Sequence, residues 1–222
     1  MNNRVFILCA GESTRFGCKP KQLIKIAGEE ILRRIIRFLK QYDRISEIFI
    51  ITHRDDIRNN IKELNDNTIY FINPSKRRYT LESMLSTQDE WVDRNIILLG
   101  DVIFSKNCLE KILNSKKDFC FFGRTKPHKY TFKIEQEIYG IKIPFSEKER
   151  RIKDSLEAIE NSTGKNKGKL NSLFSYLEKQ EKSKGFFREK YWVEINDTTE
   201  DIDSKEDLEQ FKKNIIDKNL LD

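Results

Sequence analysis

An α/β fold, three layers deep around a mostly parallel sheet with a small antiparallel excursion, is what this 222-residue sequence predicts. Two observations predict it. Short runs of β-branched and aromatic residues are continuously apolar rather than alternating, which is the pattern of strands buried on both faces. Helical periods separate these runs, and the alternation occurs five times within the first 125 residues, implying parallel strands joined by right-handed crossovers. In such sheets ligands gather outside the carboxyl ends of the strands, so the residues that follow each strand are the candidates for chemistry.

The elements follow in order. Residues 5–9, Val-Phe-Ile-Leu-Cys, form the first strand, and 47–52, 68–72, 95–99 and 118–122 read similarly. Residues 30–42 place Ile31, Leu32, Ile35, Ile36 and Leu39 on one stripe with Arg33, Arg34, Arg37 and Lys40 opposite, an amphipathic helix. Further helices span 54–64, 80–91 and 106–114. After Gly123 the rhythm changes, and 130–143 reads as a strand or hairpin without a crossover. Charged helices at 147–160 and 170–180 flank the linker-like Asn161-Ser-Thr-Gly-Lys-Asn-Lys-Gly168. A last strand over 191–195 and a helix over 204–213, with Ser204 as N-cap and Asp207 three residues on, complete the pattern. The organisation expected is one domain over 1–222, with a strand–helix half (1–125), an insertion (126–190) and a closing strand and helix (191–222).

Composition narrows the class. Lys and Arg total 42 against 36 Asp and Glu, giving a net charge of +6 and a pI near 9.0, and mean hydropathy is −0.67. The longest apolar stretches hold four to six residues, far short of the ~20 that cross a membrane. The N-terminal apolar run is too short for a signal peptide, so the cytoplasm is the expected compartment, with no membrane partner. Four cysteines never approach a C-x-x-C spacing, and only His53 and His128 would join them, which argues against structural zinc and for plain free thiols.

The first strand opens into Ala10-Gly-Glu-Ser-Thr-Arg-Phe-Gly17, then Cys18-Lys-Pro20-Lys21. A glycine-containing loop here points to phosphate. It is not a Walker A loop, because five residues separate Gly11 from Gly17 and Cys18 follows. It is not the dinucleotide fingerprint either, because Ser13 stands where the second Gly belongs. What remains is a polar loop with backbone N–H groups at Gly11 to Thr14 and two cations, Arg15 and Lys21, suited to wrapping a triphosphate.

Leu8-Cys9-Ala10-Gly11-Glu12-Ser13-Thr14-Arg15-Phe16-Gly17, Pro20-Lys21-Gln22-Leu23 and Ile26-Ala27-Gly28-Glu29-Glu30-Ile31-Leu32 together resemble the signature of nucleotidyltransferases of the GT-A-like fold. That family spans sugar-1-phosphate nucleotidyltransferases, CMP-sugar synthetases and phosphocholine cytidylyltransferases of bacterial surface decoration. The chain departs from its pattern in having Cys9 for Ala, Ser13 for Gly and Glu30 for Pro. The resemblance implies a Rossmann-like sheet, a Mg²⁺ cofactor, Arg15 and Lys21 as catalytic cations, and nucleotide contacts from Cys9, Ala10, Gly11, Glu12, Ser13 and Thr14. Asn73, Thr80 and Ser83, after the third strand, would hold base and sugar.

The strand over 95–99 ends in Gly100-Asp101, at the ligand edge of the sheet. By resemblance Asp101 is the metal-binding acid, and Mg²⁺ does favour one or two carboxylates with phosphate oxygens and water. A second ligand is expected from the closing segment, where both Glu194-Ile-Asn196-Asp197 and Asp201-Ile-Asp203-Ser204 match family patterns. Asn196 and Asp203 lead, with Glu194, Asp197 and Asp201 as alternative ligands or outer support, and helix capping is the competing role for Asp203. Arg124, after the fifth strand, is an acceptor-side contact, and His53 is read as a loop histidine.

The chemistry these parts fit is attack by an acceptor phosphate on the α-phosphorus of an NTP, with loss of pyrophosphate. A phosphomonoester has a second pKa of about 6, so no general base is needed at neutral pH. CTP is the favoured nucleotide, and a sugar phosphate or amino-alcohol phosphate the acceptor. A glycosyltransferase of similar fold is the nearest rival, but Asp101-Val102-Ile103 lacks the second acid of an Asp-x-Asp. Nucleic-acid binding is the rival from another class, resting on the pI and the Arg33/Arg34/Arg37 and Lys76/Arg77/Arg78 clusters. A surplus of six charges among 78 makes it the weaker reading, so no nucleic acid is expected as partner.

Overall fold

The computed structural model describes residues 3–13, 16, 17, 19–127, 135–181 and 184–221. Its first half runs β1 (Asn3–Leu8), β2 (Lys25–Ile26), β3 (Glu29–Glu30), α1 (Ile31–Leu39), β4 (Ile45–Ile51), α2 (Asp55–Lys62), β5 (Ile69–Ile72), α3 (Thr80–Leu85), β6 (Arg94–Leu99), β7 (Val102–Ile103) and α4 (Lys106–Asn114). The second half runs β8 (Cys120–Arg124), β9 (Glu137–Pro144), α5 (Lys148–Asn161), α6 (Leu170–Gln180), α7 (Lys184–Tyr191), β10 (Trp192–Glu194), β11 (Glu200–Asp201) and α8 (Lys205–Phe211), the last continuing as a π-helical turn over Lys212–Ile216.

The central sheet has the order β10-β8-β9-β6-β1-β4-β5. β1 pairs in parallel with both β4 and β6, β4 with β5, and β8 with β10, while β9 runs antiparallel between β6 and β8. The expected antiparallel excursion is therefore an internal strand of the main sheet. The part of that expectation covering 130–134 lies outside the described residues.

Alternate residues of the continuous apolar runs feed two cores. Val5 and Ile7 join Ile48, Ile50, Ile96 and Leu98 beneath α1, α2, α4 and α8, while Phe6 and Leu8 join Phe49, Ile51, Ile97 and Phe121 beneath α3, α5, α6 and α7. Two-sided burial is why these runs are unbroken, and it makes three layers. α1 departs from its expected pattern in one respect. Arg34 is buried with its guanidinium 4.7 Å from the Phe38 ring centre, a cation–π contact that takes it out of the solvated face.

α3 ends at Leu85, six residues earlier than the periodicity predicts, and a 3₁₀ turn follows at Gln88–Glu90. Ser86 and Thr87 turn their hydroxyls onto the carbonyls of Glu82 and Met84, and Trp91 Nε1 donates to Thr87 Oγ1 at 2.8 Å. Such local hydroxyl bonds compete with helix propagation. The predicted fifth strand shifts to Cys120–Arg124 because Gly123 and Arg124 extend the ladder onto β9, and α7 is an element the sequence pattern did not disclose.

Gly168 ties the linker before α6 to the start of α3. It has φ +65°, and a Cβ there would meet the Tyr79 ring at 2.4 Å, while Leu81 N donates to its carbonyl at 2.9 Å. Gly168→Ala is expected to lower stability by about 1–3 kcal/mol through backbone strain plus the clash. A chemical melt resolves it, and an unchanged midpoint would show that Tyr79 moves freely.

Candidate active site

The carboxyl edge of the sheet brings the candidate residues together. β1 ends at Leu8, and Cys9 continues the ladder by donating its N–H to Ile51 O at 2.8 Å. From there the loop passes through buried Ala10 to exposed Gly11 and Glu12. Ser13 has φ +51°, a left-handed conformation that glycine adopts without cost, which accounts for glycine in the pattern this loop resembles. Its hydroxyl takes up the strain usefully, accepting the Lys21 N–H at 3.3 Å, while its carbonyl accepts from Phe16 N at 2.9 Å. Thr14 and Arg15 lie outside the described residues.

Pro20, at φ −64°, sets the extended entry to a 3₁₀ turn over Lys21–Leu23, which aims the Lys21 side chain inward. Lys21 is only 9% exposed. Its Nζ lies 2.6 Å from Asp101 Oδ2, 3.3 Å from Asp203 Oδ1 and 2.9 Å from the carbonyl of Ile202. Burial opposes its charge, but the carboxylates of Asp101, Asp201 and Asp203 outweigh that and raise its pKa above the ordinary lysine value.

Asp101 follows β6 across Gly100, whose N–H donates to Leu8 O at 3.0 Å. A Cβ at Gly100 would meet Cys9 Sγ at 2.4 Å and Leu8 O at 2.9 Å, so only glycine lets this turn settle on the end of β1. From Asp101 the chain enters β7, which pairs antiparallel with β11, setting Val102 opposite Asp201 and Ile103 opposite Glu200. That two-residue ladder carries Asp201 and Asp203 to Asp101. One oxygen from each of the three acids lies within 4.8 Å of the others.

The structure thus gathers Asp101 and Asp203 with Asp201, one of the alternative ligands named from the sequence. Asn196 is exposed beyond β10. Glu194 spends its carboxylate on Thr125 N at 2.8 Å, Thr125 Oγ1 at 3.0 Å and Trp192 Nε1 at 2.5 Å. Asp197 accepts from Thr199 N at 2.9 Å and Asn107 Nδ2 at 3.3 Å. Asp203 leaves the capping of α8 to Ser204 and Asp207, which bond each other's N–H groups at 3.1 and 3.0 Å.

Two expectations are corrected. Arg124 is no acceptor contact: it is fully buried, with Nη2 3.3 Å from Glu200 Oε1 and Nε 3.2 Å from Tyr139 Oη. Cys9 offers a nucleotide neither its N–H, which β4 uses, nor its thiol, which lies buried under Gly100 with its pKa pushed well up by burial and by Asp101. Of the residues expected to hold base and sugar, Asn73 is exposed after β5, Thr80 is half-buried in the first turn of α3 and Ser83 is buried. His53 is half-buried after β4, and burial with Arg77 and Arg54 holds its pKa below the usual imidazole value.

The donor set suits a hard divalent cation. Three carboxylates against one ammonium leave a net charge of two minus, and Mg²⁺ takes oxygen ligands at about 2.1 Å. Asp101, Asp201 and Asp203 are the residues that would hold it. Among the described residues, no helix is long and apolar enough to cross a membrane.

The chain is similar to several known proteins. Bifunctional protein GlmU of Methanocaldococcus jannaschii is 27% identical over 210 residues, covering 85% of this chain and 50% of that protein. The bifunctional IPC transferase and DIPP synthase of Archaeoglobus fulgidus is 30% identical over 115 residues, 51% of this chain and 23% of that one. The chain therefore spans half or less of these relatives. In fold it resembles 4-diphosphocytidyl-2C-methyl-D-erythritol synthase from Anaerococcus prevotii (TM-score 0.66, 14% identity, covering 96% of this chain and 95% of that one). It also resembles CTP:phosphocholine cytidylyltransferase from Streptococcus pneumoniae (TM-score 0.62, 15% identity, 96% and 99%). The sequence pattern of the MobA-like NTP transferase domain matches residues 5–135, more than half of the sequence, and with the site at the sheet edge this shows that the chain belongs to the MobA-like NTP transferase family.

Proposed function

We propose that this nucleotidyltransferase moves a nucleoside monophosphate, with CTP as first choice of donor, onto a phosphorylated small molecule such as a sugar phosphate or amino-alcohol phosphate. The observation that carries the reading is the meeting of Lys21 with Asp101, Asp201 and Asp203 beside the loop after β1. An acceptor phosphate oxygen forms a bond to the α-phosphorus, the bond from that phosphorus to the bridging oxygen breaks, and pyrophosphate leaves with the electron pair.

The residues divide the work by charge. The loop after β1 would offer the backbone N–H groups of Gly11, Glu12 and Ser13 to the triphosphate, with Thr14 and Arg15, which lie outside the described residues, expected from the sequence to add an N–H and a bidentate cation. Lys21 neutralises charge where the polyanions meet, while Asn73 and Thr80 line the approach of base and ribose. A bound Mg²⁺ would supply Lewis-acid neutralisation of phosphate oxygens. Like charges about 4 Å apart repel by about 4 kcal/mol at an effective dielectric of 20, so alignment and cations are the catalytic need.

A pyrophosphate-release assay with four NTPs against a panel of phosphorylated acceptors tests this. One NTP and one acceptor class should release pyrophosphate in a Mg²⁺-dependent way. Folded protein that releases none with any pair, or that releases nucleoside diphosphate from a nucleotide sugar, overturns the reading.

A further inference from the structure

The segment that carries Asp201 and Asp203 is gripped from inside the protein by groups that no substrate can touch. Arg124, at the end of β8, reaches Glu200 Oε1 with Nη2, Tyr139 Oη with Nε, and the Glu135 carbonyl with Nη1, the last at 3.2 Å. Tyr139, on β9, donates its hydroxyl to Thr199 O at 3.2 Å and packs edge-on to Phe104. Thr199 Oγ1 accepts the N–H of Ser105, the N-cap of α4, at 3.0 Å. Arg124 and Tyr139 are fully buried and Glu200 and Thr199 are 1% exposed. Residues 199 and 200 are thus fixed from three elements, and the next acid, Asp201, enters the cluster with Asp101.

Burying an arginine–glutamate pair costs desolvation that its attraction seldom more than repays, and apolar replacements of such pairs are often no less stable. A use other than stability is needed. Three carboxylates drawn within 4.8 Å repel one another, and Asp201 and Asp203 belong to a segment joined to Asp101 by only two residue pairs of ladder. Lys21 holds that segment from the ligand side, at Asp203 and the Ile202 carbonyl. A matching hold from the protein side is what Arg124 provides.

We propose that Arg124, through its buried pair with Glu200 and its bond to Tyr139, is a positioning residue that keeps Asp201 and Asp203 in register with Asp101. The inference rests on reading those carboxylates as a metal site. It explains why an arginine stands at the end of a strand facing no solvent.

The test is Mn²⁺ binding to the purified full chain, followed by electron paramagnetic resonance of the free ion, together with hydrogen exchange of residues 199–203 in metal-free protein. Tyr139→Phe removes one hydroxyl from the network and keeps the ring. The double variant Arg124→Met/Glu200→Met replaces the pair by apolar chains of similar length. Both should weaken Mn²⁺ binding, by about tenfold for Tyr139→Phe and up to about a hundredfold for the double variant, the range seen when support of metal ligands is removed. Exchange should quicken over 199–203 and not in α1. A folded variant that binds Mn²⁺ as the wild type does overturns the proposal, whatever its melting temperature, and if the double variant does not fold, Tyr139→Phe decides alone. Wild-type nucleotidyl transfer with a Mg²⁺ dependence unaltered in the variants overturns this inference and leaves the proposed function standing. Weakened Mn²⁺ binding in the variants of a wild type that transfers no nucleotide does the reverse.

Discussion

Asp101→Asn is expected to lower kcat/KM for nucleotidyl transfer by about 10³-fold while leaving the melting temperature nearly unchanged. The size follows from losing one of the three carboxylates that would hold Mg²⁺ against the phosphates, an electrostatic contribution of about 4 kcal/mol, and each 1.4 kcal/mol is a factor of ten. The small stability effect follows from opposing losses. The variant gives up the 2.6 Å ion pair with Lys21, but it also relieves the crowding of three acids, and Lys21 keeps Asp203 and the Ile202 carbonyl. Steady-state kinetics across a Mg²⁺ series, with thermal melts in and out of metal, separate the two. Turnover with an unaltered Mg²⁺ dependence would place the cation away from Asp101.

Lys21→Met is expected to cost about 10²-fold to 10³-fold in kcat and, unlike Asp101→Asn, to make stability depend on Mg²⁺. In the wild type the carboxylates raise the Lys21 pKa above its ordinary value of 10.5, so its contribution is complete below that pH and disappears only above it. Between pH 6 and 9 it is constant. With methionine in its place, three acids within 4.8 Å lose their internal cation and repel one another. The variant should therefore melt below the wild type in metal-free buffer, and Mg²⁺ should restore more stability to it than to the wild type. Melts with and without Mg²⁺ read this directly, and a deficit that Mg²⁺ leaves untouched would mean that Lys21 contributes by packing alone.

Much of this was legible in the sequence. β1, β4 and β6 could be read because residues buried on both faces leave no polar positions, and the loop after β1 because its glycine and cations sit at a strand end. What escaped depended on partners distant in sequence. Asn196-Asp197 and Asp201-Ile-Asp203 are equally acid-rich, and only the pairing of Asp201 with Val102 selects the second. Arg124 read as a contact for ligand because its counter-ion, Glu200, lies 76 residues away. α7 escaped for a local reason: Gly185 interrupts it and its charged residues surround a single pair of phenylalanines, leaving too little stripe to see.

The β7–β11 ladder has a consequence for the order in which the protein comes into being on the ribosome. Lys21 is made first, Asp101 next, and Asp201 and Asp203 some hundred residues later, an interval of about 5–20 s at ordinary elongation rates. Until then the nascent chain can complete β1, β4 and β6 and hold Lys21 against Asp101, one cation to one acid, with no mutual repulsion to overcome. The remaining acids arrive at a receptacle already built, in which Lys21 and Asp101 balance each other, so the repulsion among the three acids enters only with the step that finishes the site.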